Sequence, residues 1–407
     1  MEQNARADVL QGVRVVDLST FVAAPMCSRM LADLGADVIK VESPRGDPWR
    51  ETAKANTGSD YAELPVYDIY NSRKRDVCLD LKHPDGMKAF LDLLATADIF
   101  VTNTRAPSLK KLGIDYESLK ERFPRLIYAT ITGYGAKGPD AASPGFDNIA
   151  FWTRSGFMLD MSVKTENSYP TFTPTGGGDT VTGGFLMGGI LAALYRREKT
   201  GKGDFVTASL YNAGIWTFAG SIIQAQKKYG VKFPKERSDC PPIGTFYRCA
   251  DGEWFAITVL DHDRYRDTVF RLLGVWDEVE PFHITTQLEM KQMSAKVIPI
   301  LERAFLKKTT TEWLEIFQKA DIVCGIVNHM RDVSEDEQAD VNGYVQDFTC
   351  RNGAVCRMPC MPVRFASQPE PSSLYASYNG EDTDSVLTEI GYSKEQIEKL
   401  KADGAAK

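Results

Sequence analysis

Asp179 is the residue whose surroundings most strongly suggest chemistry. It ends the run Pro174-Thr-Gly-Gly-Gly-Asp179, and a stretch with helical composition follows as far as Lys199, with Gly201 as its expected cap. Three successive glycines allow a backbone path closed to other residues and leave room for a close ligand. Asp179 would then lie at or just before a helix N-terminus, where unpaired amides and the helix dipole favour negative charge. Two interpretations follow: a helix N-cap, or an exposed, ionised carboxylate that acts as a nucleophile.

The glycine-rich turn differs from a phosphate-binding P-loop. It lacks the G-x-x-x-x-G-K-[ST] pattern, and an Asp on its rim would repel phosphate. The four histidines and eight cysteines form no H-E-x-x-H or C-x-x-C pattern. We therefore predict no metal site and expect reduced thiols.

Composition places the chain among ordinary globular proteins. Its 407 residues are enough for about two domains, and the apolar and charged fractions are 43% and 25%. A net charge of −7 argues against general nucleic-acid binding. No apolar run is long enough to span a membrane, and the first residues lack a signal-peptide core. We therefore expect a cytoplasmic protein that binds neither nucleic acid nor membrane.

The elements ahead of Asp179 alternate regularly between strand and helix. Residues 13–18 and 38–42 are apolar runs typical of buried parallel strands, and residues 23–34 between them have helical spacing. This βαβ opening predicts an α/β fold with a doubly wound sheet, whose ligands bind at the strand ends. The turn after the first strand contains no glycine, so an NAD oxidoreductase is disfavoured.

Two stretches near the predicted strand ends bear on ligand binding. Residues 44–63 are polar and turn-rich, which predicts a loop over the strand ends. Residues 71–75 form a compact basic run that is either a solvated face or a phosphate contact. Further along, residues 228–242 are polar, contain three prolines and indicate a domain boundary.

Taken together, these motifs resemble those of the family III CoA-transferases, which include formyl-CoA, carnitine-CoA and aryl-lactate CoA-transferases. The resemblance covers about residues 10–400. It rests on residues 10–18, 32–42, 71–75 with 79–82, Gly178-Asp179, 189–194 and 199–203. Within the family, the loops at 133–147 are most similar to the branch that acts on aryl-lactates and other 2-hydroxy acids. Residues 240–247 lack the glycine-rich loop of the formyl-CoA enzyme, which argues against oxalate and formate as substrates.

The resemblance implies an architecture that the local patterns do not show. It implies a large Rossmann-like domain with a parallel sheet in residues 1–227 and a smaller α+β domain in residues 243–329. A C-terminal segment, residues 330–407, would return to the large domain. It also implies a homodimer whose two chains interlock like links.

The resemblance further implies a site without metal, with coenzyme A as substrate in the form of an acyl-CoA. Asp179 matches the catalytic carboxylate of the family. The positions that match CoA contacts are Val22, Ala23, Arg45, Leu79, Lys82, Asn103, Lys111 and Phe146. The basic side chains among them suit the phosphates of CoA.

The implied reaction moves CoA from an acyl-CoA to a free carboxylic acid through an aspartyl-CoA thioester. Asp179 would be ionised at an ordinary pKa of about 4, and amides of the glycine turn would stabilise the tetrahedral oxyanions. One alternative is an α-methylacyl-CoA racemase on the same fold, which needs two acid–base groups. Phe146 stands where a racemase would have a histidine, so this alternative is disfavoured. The other is a non-catalytic CoA-binding protein.

Overall fold

The structure is a computed structural model that describes residues 9–60, 62–162, 169–366 and 374–407. The described residues group into two compact units. The first unit draws on residues up to 156, on 173–222 and on 334 onwards, and the second on 157–172 and 223–333. The described residues on either side of 163–168 therefore group with the second unit, whereas the predicted large domain includes them. No helix of the described part is long and apolar enough to cross a membrane.

The strands of the described residues form three sheets. They are β1 (Arg14–Leu18), β2 (Asp37–Glu42), β3 (Arg75–Cys78), β4 (Ile99–Thr102), β5 (Ile127–Thr132), β6 (Phe205–Ser209), β7 (Phe246–Arg248), β8 (Trp254–Ile257), β9 (Cys324–Ile326), β10 (Val345–Thr349) and β11 (Val355–Pro359). Strands β1–β6 form one sheet of the first unit, and β10 pairs with β11 in the same unit. Strands β7–β9 form the sheet of the second unit.

The helices surround these sheets. They are α1 (Ala23–Asp33), α2 (Trp49–Thr57), α3 (Pro65–Asn71), α4 (Pro84–Leu94), α5 (Ala106–Leu112), α6 (Tyr116–Leu119), α7 (Phe157–Asp160), α8 (Gly177–Thr200), α9 (Leu210–Thr217), α10 (Ala219–Gln224), α11 (His262–Leu272), α12 (Trp276–Val279), α13 (Gln287–Gln292), α14 (Ser294–Phe305), α15 (Thr310–Lys319), α16 (Met330–Val333), α17 (Glu337–Val341), α18 (Thr383–Glu389) and α19 (Lys394–Ala402). A π-helical turn, Asp147–Thr153, precedes α7.

The main sheet has the strand order β3-β2-β1-β4-β5-β6, and all its pairs are parallel. This is the doubly wound order, in which the chain leaves β1 in one direction and later continues from β4 in the other. The predicted α/β fold with a parallel sheet is therefore confirmed. The crevice at the carboxyl ends of β1 and β4 is the place where such a sheet binds ligands.

Successive side chains of β1 point into the two hydrophobic cores on opposite faces of this sheet. Val15 packs in the core that contains Leu186 and Ile190 of α8. Val16 packs in the core that contains Phe90 of α4 and Leu387 of α18. Both faces are thus covered by helices, which explains why the strands are continuous apolar runs.

The stretch predicted as a loop at residues 44–63 contains α2, so that prediction is wrong over much of its length. Trp49 and Ala53, one turn apart, are its buried apolar side chains, and Gly58 closes it in the left-handed conformation with φ 68°. Arg50 is also buried, where it pairs with Glu42, and the other polar residues of the helix are partly or fully exposed. The apolar stripe is too narrow to be recognised as a helix from sequence.

The basic run at 71–75 forms ion pairs within the first unit, and Arg73 is its one exposed cation. Its three cations pair with carboxylates of the same unit: Arg73 with Asp33, Lys74 with Asp17, and Arg75 with Asp37. The Lys74–Asp17 pair is fully buried, with 2.9 Å between Nζ and Oδ2. These residues hold the sheet edge and α1 together.

The second unit has its own core. Strands β7, β8 and β9 pair antiparallel, and helices pack against one face of them. Tyr247 stacks on Phe305 with 4.6 Å between ring centroids, and Phe255 and Phe317 extend the aromatic cluster.

Candidate active site

Asp179 is the third residue of α8. The residue before the helix is Gly176, whose φ of 69° lies in the left-handed region that favours glycine. Asp179 is therefore not the N-cap of the helix, and it makes no capping hydrogen bond with its side chain. At the other end, Thr200 is the last helical residue, and Gly201 closes the helix in the predicted left-handed conformation.

The three glycines before Asp179 give close packing rather than empty space for a ligand. A Cβ atom at Gly176 would lie 2.8 Å from the Tyr70 hydroxyl oxygen. At Gly178 it would lie 2.3 Å from Phe151 and 2.5 Å from the Asp147 carboxylate. Side chains at these positions would displace the groups that hold the start of α8.

Asp147 is a residue of this site that the sequence analysis did not assign. Its Oδ1 atom accepts a hydrogen bond from the backbone amide of Asp179 at 2.8 Å. Its Oδ2 atom accepts one from the indole N–H of Trp152 at 3.0 Å. Asp147 thus holds the first turn of α8 from outside the helix. The sequence carries no local signal for this contact, because Asp147 lies 32 positions from the amide that it accepts.

The electrostatic state of Asp179 differs from the ordinary ionised carboxylate expected from sequence. Burial raises the pKa of Asp179 to about 7, and the neighbouring Asp147 carboxylate adds to the rise. Across the described residues, no hydrogen bond reaches the Asp179 carboxylate. Burial also raises the pKa of Asp147, against the opposing effect of the N–H groups that it accepts from Asp179, Trp152 and Gly178.

Asp179 lines a cavity of about 1320 Å³ in the first unit. The cavity lies at the carboxyl ends of β1, β4, β5 and β6, where the loops after these strands form its walls. It includes the switch point between β1 and β4, as the fold leads one to expect. A space of this size suits a large ligand with several chemical groups.

The cavity brings together some of the predicted site residues. Val22, Ala23, Asn103 and Phe146 line it together with Asp179. The other four predicted CoA contacts are Arg45, Lys82 and Lys111, which are exposed, and Leu79, whose side chain lies in the core. None of these four lines the cavity in the described structure. Any contact of Leu79 with CoA would therefore have to come from its backbone.

Two cations of the cavity were not recognised in the sequence analysis. Arg105 follows β4 and Lys137 follows β5, and both are among the lining residues. The stacked rings of Tyr116 and Phe205, 4.7 Å apart, form part of the same wall. Isolated cations in loops carry no sequence signal until the fold brings them to one place.

The loop after β1 is held by hydrogen bonds to the side chains of Asp47 and Asn103. Phe21 has φ 63°, a strained conformation for a residue with a side chain. Its amide donates to Asp47 Oδ1 at 3.1 Å. Asn103 joins the loop to the end of β4, because its side chain both donates to and accepts from the backbone of Thr20.

A row of aromatic rings in successive contact lies beside the cavity. The ring of Phe146 is more than half exposed and meets Phe21 edge to face, with 5.0 Å between centroids. Phe21 approaches Trp49 at 6.4 Å, and Trp49 approaches Tyr70 at 6.1 Å. These rings connect the mouth of the cavity with the start of α8.

Residues 10–383 match the model of CoA-transferase family III. The chain belongs to CoA-transferase family III. It is 37% identical over 407 residues to a cinnamoyl-CoA:phenyllactate CoA-transferase of Clostridium sporogenes, covering 99% of this chain and 98% of that one. It is 34% identical over 397 residues to a (R)-2-hydroxy-4-methylpentanoate CoA-transferase of Clostridioides difficile, covering 97% and 98%.

The likeness extends to solved structures. Rv3272 from Mycobacterium tuberculosis superposes with a TM-score of 0.80 at 27% identity, covering 94% of this chain and 99% of that one. The chain is thus a family III CoA-transferase, an enzyme class whose substrates are acyl-CoA thioesters and carboxylic acids. Among the described residues, no group of three or more His, Cys, Asp or Glu side chains is arranged to hold a metal ion.

Proposed function

We propose that the protein transfers CoA from an acyl-CoA to a 2-hydroxy acid, such as an aryl-lactate or 2-hydroxyisocaproate, by way of an aspartyl-CoA thioester. The observation that carries this proposal is the Asp179 carboxylate. It is partly buried, lacks a hydrogen-bond partner in the described structure and lies on a large cavity at the switch point of the sheet. The acceptor class is supported by the two relatives, whose names specify phenyllactate and 2-hydroxy-4-methylpentanoate.

The reaction is a pair of acyl exchanges on one carboxylate. An oxygen of Asp179 attacks the thioester carbonyl carbon, the C–S bond breaks, and CoA leaves as the thiolate. The thiolate then attacks the Asp179 carbonyl of the mixed anhydride, which forms the aspartyl-CoA thioester and frees the donor acid. The acceptor carboxylate and the same thiolate repeat these steps in reverse. Covalent catalysis divides one difficult exchange into easier steps.

The raised pKa of Asp179 suits this chemistry. A carboxylate that is poorly solvated and unpaired is a stronger nucleophile than one stabilised by water or a cation. At a pKa of about 7, roughly half of the groups are ionised at neutral pH. Asp147 helps in two ways, because it holds the start of α8 and its charge further destabilises the Asp179 carboxylate.

CoA itself would occupy the cavity. Arg105 and Lys137 can pair with its phosphates, since charge-assisted hydrogen bonds to phosphate are among the strongest in proteins. The loop with Val22 and Ala23 lies beside Asp179 and would face the thioester end. The predicted contacts of Arg45, Leu79, Lys82 and Lys111 remain predictions.

A panel of acyl-CoA donors and free acids tests the proposal. Cinnamoyl-CoA or 4-methylpentanoyl-CoA is incubated with one free acid at a time. The acids are phenyllactate, 2-hydroxyisocaproate, oxalate and carnitine, and the CoA products are measured by mass spectrometry. We expect transfer to the 2-hydroxy acids, and loss of transfer in Asp179→Asn with CoA binding retained by calorimetry. Preference for oxalate or carnitine would contradict the acceptor class.

A separate assay addresses the racemase alternative. A racemase exchanges the α-proton of a 2-methylacyl-CoA and needs acid–base groups on both sides of the carbon. Phe146 cannot transfer a proton, so we expect no deuterium at the α-carbon after incubation in deuterated water. Rapid incorporation without CoA transfer would replace the proposed activity by racemisation.

We also propose that the enzyme acts as a homodimer. Large apolar side chains of α8 and α9 are exposed on the single chain: Phe185 by 45%, Tyr195 by 66% and Trp216 by 72%. A second copy would remove such surface from water. Light scattering coupled to size exclusion should give twice the mass of the chain, and a monomer at micromolar concentration would contradict this.

A further inference from the structure

Tyr70 is a buried tyrosine without a hydrogen-bond partner for its hydroxyl group. The residue is 8% exposed and packs with Val22, Trp49 and Ala53 at the end of α3. No hydrogen bond to its hydroxyl is present among the described residues. A buried tyrosine hydroxyl normally finds a partner, and the oxygen of Tyr70 is not among the fully enclosed side-chain atoms of the described residues that lack one. The hydroxyl therefore reaches solvent and is free to donate to a ligand.

The hydroxyl lies at the start of α8. It is so close to Gly176 that a Cβ there would be 2.8 Å from the hydroxyl oxygen. Gly176 precedes the helix and Asp179 is its third residue, and side chains at the third position reach back towards the residue before the helix. Tyr70 and Asp179 therefore share one corner of the first turn.

Electrostatics support this proximity. Burial raises the pKa of Tyr70 to about 12, and the charges of Asp179 and Asp147 contribute to the rise. Tyr70 consequently keeps its proton at neutral pH and can only donate a hydrogen bond to an anion that forms beside it.

The backbone amides expected to stabilise the oxyanion are already in use. The amide of Asp179 donates to Asp147 at 2.8 Å, and the amide of Gly178 also donates to Asp147. The amide of Gly177 donates to the carbonyl of Pro174 at 3.3 Å. These three amides are therefore not free to donate to the tetrahedral intermediate, and a side chain beside Asp179 is a candidate for that role.

We propose that the Tyr70 hydroxyl is this donor, on the assumption that the proposed transfer takes place on Asp179. As Asp179 attacks the thioester, the carbonyl oxygen becomes an alkoxide and accepts a hydrogen bond from Tyr70. Collapse of the intermediate restores the carbonyl and expels the CoA thiolate. Tyr70 transfers no proton, and the same hydroxyl serves the first and the last of the four additions, in which the oxyanion forms on a substrate carbonyl.

The substitution Tyr70→Phe tests this role, with Tyr67→Phe as the matched control. Both tyrosines lie on α3, but the Tyr67 hydroxyl donates to Glu42 at 2.7 Å and is part of a structural network. We expect Tyr70→Phe to lower kcat by about 100-fold, the usual loss for one oxyanion donor. The dissociation constant of CoA and the melting temperature should stay within error, because no protein partner is lost.

Tyr67→Phe should show the opposite pattern: a lower melting temperature and a kcat within threefold of wild type. Labelling of the enzyme by donor alone adds a second readout, and it should slow in Tyr70→Phe in proportion to kcat. A kcat of Tyr70→Phe within threefold of wild type would overturn the inference. A fall in melting temperature as large as in Tyr67→Phe, with activity lost in parallel, would assign a structural role and overturn it as well.

The wild-type assay separates this inference from the function on which it rests. If the wild-type enzyme transfers CoA and Tyr70→Phe does so equally fast, only the role of Tyr70 is wrong. If the wild-type enzyme transfers CoA to no acceptor in the panel, the proposed function fails and the inference fails with it.

Discussion

Two groups of buried carboxylates in the first unit differ in their hydrogen-bond and ion-pair partners. Under the loop after β1, each buried carboxylate is paired with a cation or several donors. At the start of α8, Asp147 accepts several N–H groups, but the Asp179 carboxylate beside it has neither a cation nor a hydrogen-bond donor among the described residues. The contrast indicates which carboxylates hold the structure and which one is available for reaction.

Asp17 represents the paired group. It accepts hydrogen bonds from Lys74 at 2.9 Å and from Ser28 at 2.5 Å, and Ser19 is a further donor. Burial alone would raise the pKa of Asp17, but Lys74, Lys40 and the two hydroxyls outweigh it and lower the pKa below its ordinary value. The buried cation Lys40 similarly pairs with Asp47 at 3.0 Å and donates to the carbonyl of Ser19 at 2.8 Å.

Asp179 represents the unpaired group. Its pKa is raised to about 7 by burial and by Asp147, with nothing in the described residues to counter them. Ionisation of this carboxylate therefore costs the fold free energy, whereas ionisation of Asp17 stabilises it. The folded state is therefore less stable because of the same carboxylate whose oxygen must react.

We expect the largest loss of stability when a carboxylate of the paired group is removed. Asp17→Ala leaves the Lys74 ammonium buried without its partner and weakens the support of Lys40. Removing one partner of a buried pair costs about 3–5 kcal/mol, measurable as a fall in the free energy of unfolding in urea.

Asp37→Ala is the control for that loss. Asp37 pairs with Arg14 and Arg75 at the other end of the sheet, where these side chains are about one-quarter to one-third exposed. Partly exposed pairs contribute about 0–1 kcal/mol. A loss below 1 kcal/mol in Asp17→Ala would contradict the distinction between the two groups.

The second largest effect is a gain in the free energy of unfolding, which we expect for Asp179→Asn. The pKa of Asp179 is about 7 in the folded chain against a reference value of 3.8. The folded state therefore holds a proton that the unfolded state releases between these values, and stability falls as pH rises through this window. The penalty is absent below pH 3.8 and complete above about 7.

Asp179→Asn cannot ionise, so we expect it to be more stable than wild type by about 1–4 kcal/mol at pH 8. The difference should shrink towards zero at pH 4, while activity is lost by at least about 1000-fold at every pH. Thermal unfolding across this pH range is the measurement. A variant less stable than wild type at pH 8 would show that Asp179 is a paired, structural carboxylate.

The smallest effect concerns the charge of Asp147. Asp147→Asn keeps an oxygen for the amide of Asp179 but removes the negative charge, and its NH₂ group faces the Trp152 donor. We expect the acid limb of kcat/KM to move to lower pH, since one cause of the raised pKa is gone. The move should be only part of the way, because burial is the larger cause.

Stability of Asp147→Asn should fall by about 1 kcal/mol for the lost indole hydrogen bond. Asp37→Asn, distant from the cavity, should leave the acid limb in place. An acid limb that does not move in Asp147→Asn would show that the carboxylate charge of Asp147 does not act on Asp179.

The contrast also explains what the sequence could predict. Strands such as β1 and β2 are buried on both faces, so their apolar runs indicate them without further information. Asp179 was recognised because its glycines and helix are contiguous with it. For these features, the physical cause lies within a few residues of the feature.

Other features depend on distant residues and carry no local signal. Asp147 is 32 positions from the amide it accepts, and Lys74 is 57 positions from Asp17. The raised pKa of Asp179 follows from burial that only the folded chain creates. The glycines at 176–178 were correctly recognised as special, but the atoms they approach belong to Tyr70, Phe151 and Asp147 rather than to a ligand.

The most direct test of the account is whether an acyl-CoA donor alone leaves CoA attached to Asp179. The enzyme is incubated with donor and no acceptor, treated with hydroxylamine or borohydride, and digested for peptide mapping. We predict a hydroxamate or an alcohol on Asp179, and none in Asp179→Asn. A label on a cysteine, or no label on an enzyme that turns over rapidly, would contradict the aspartyl-CoA thioester and favour direct attack of the acceptor on the donor thioester.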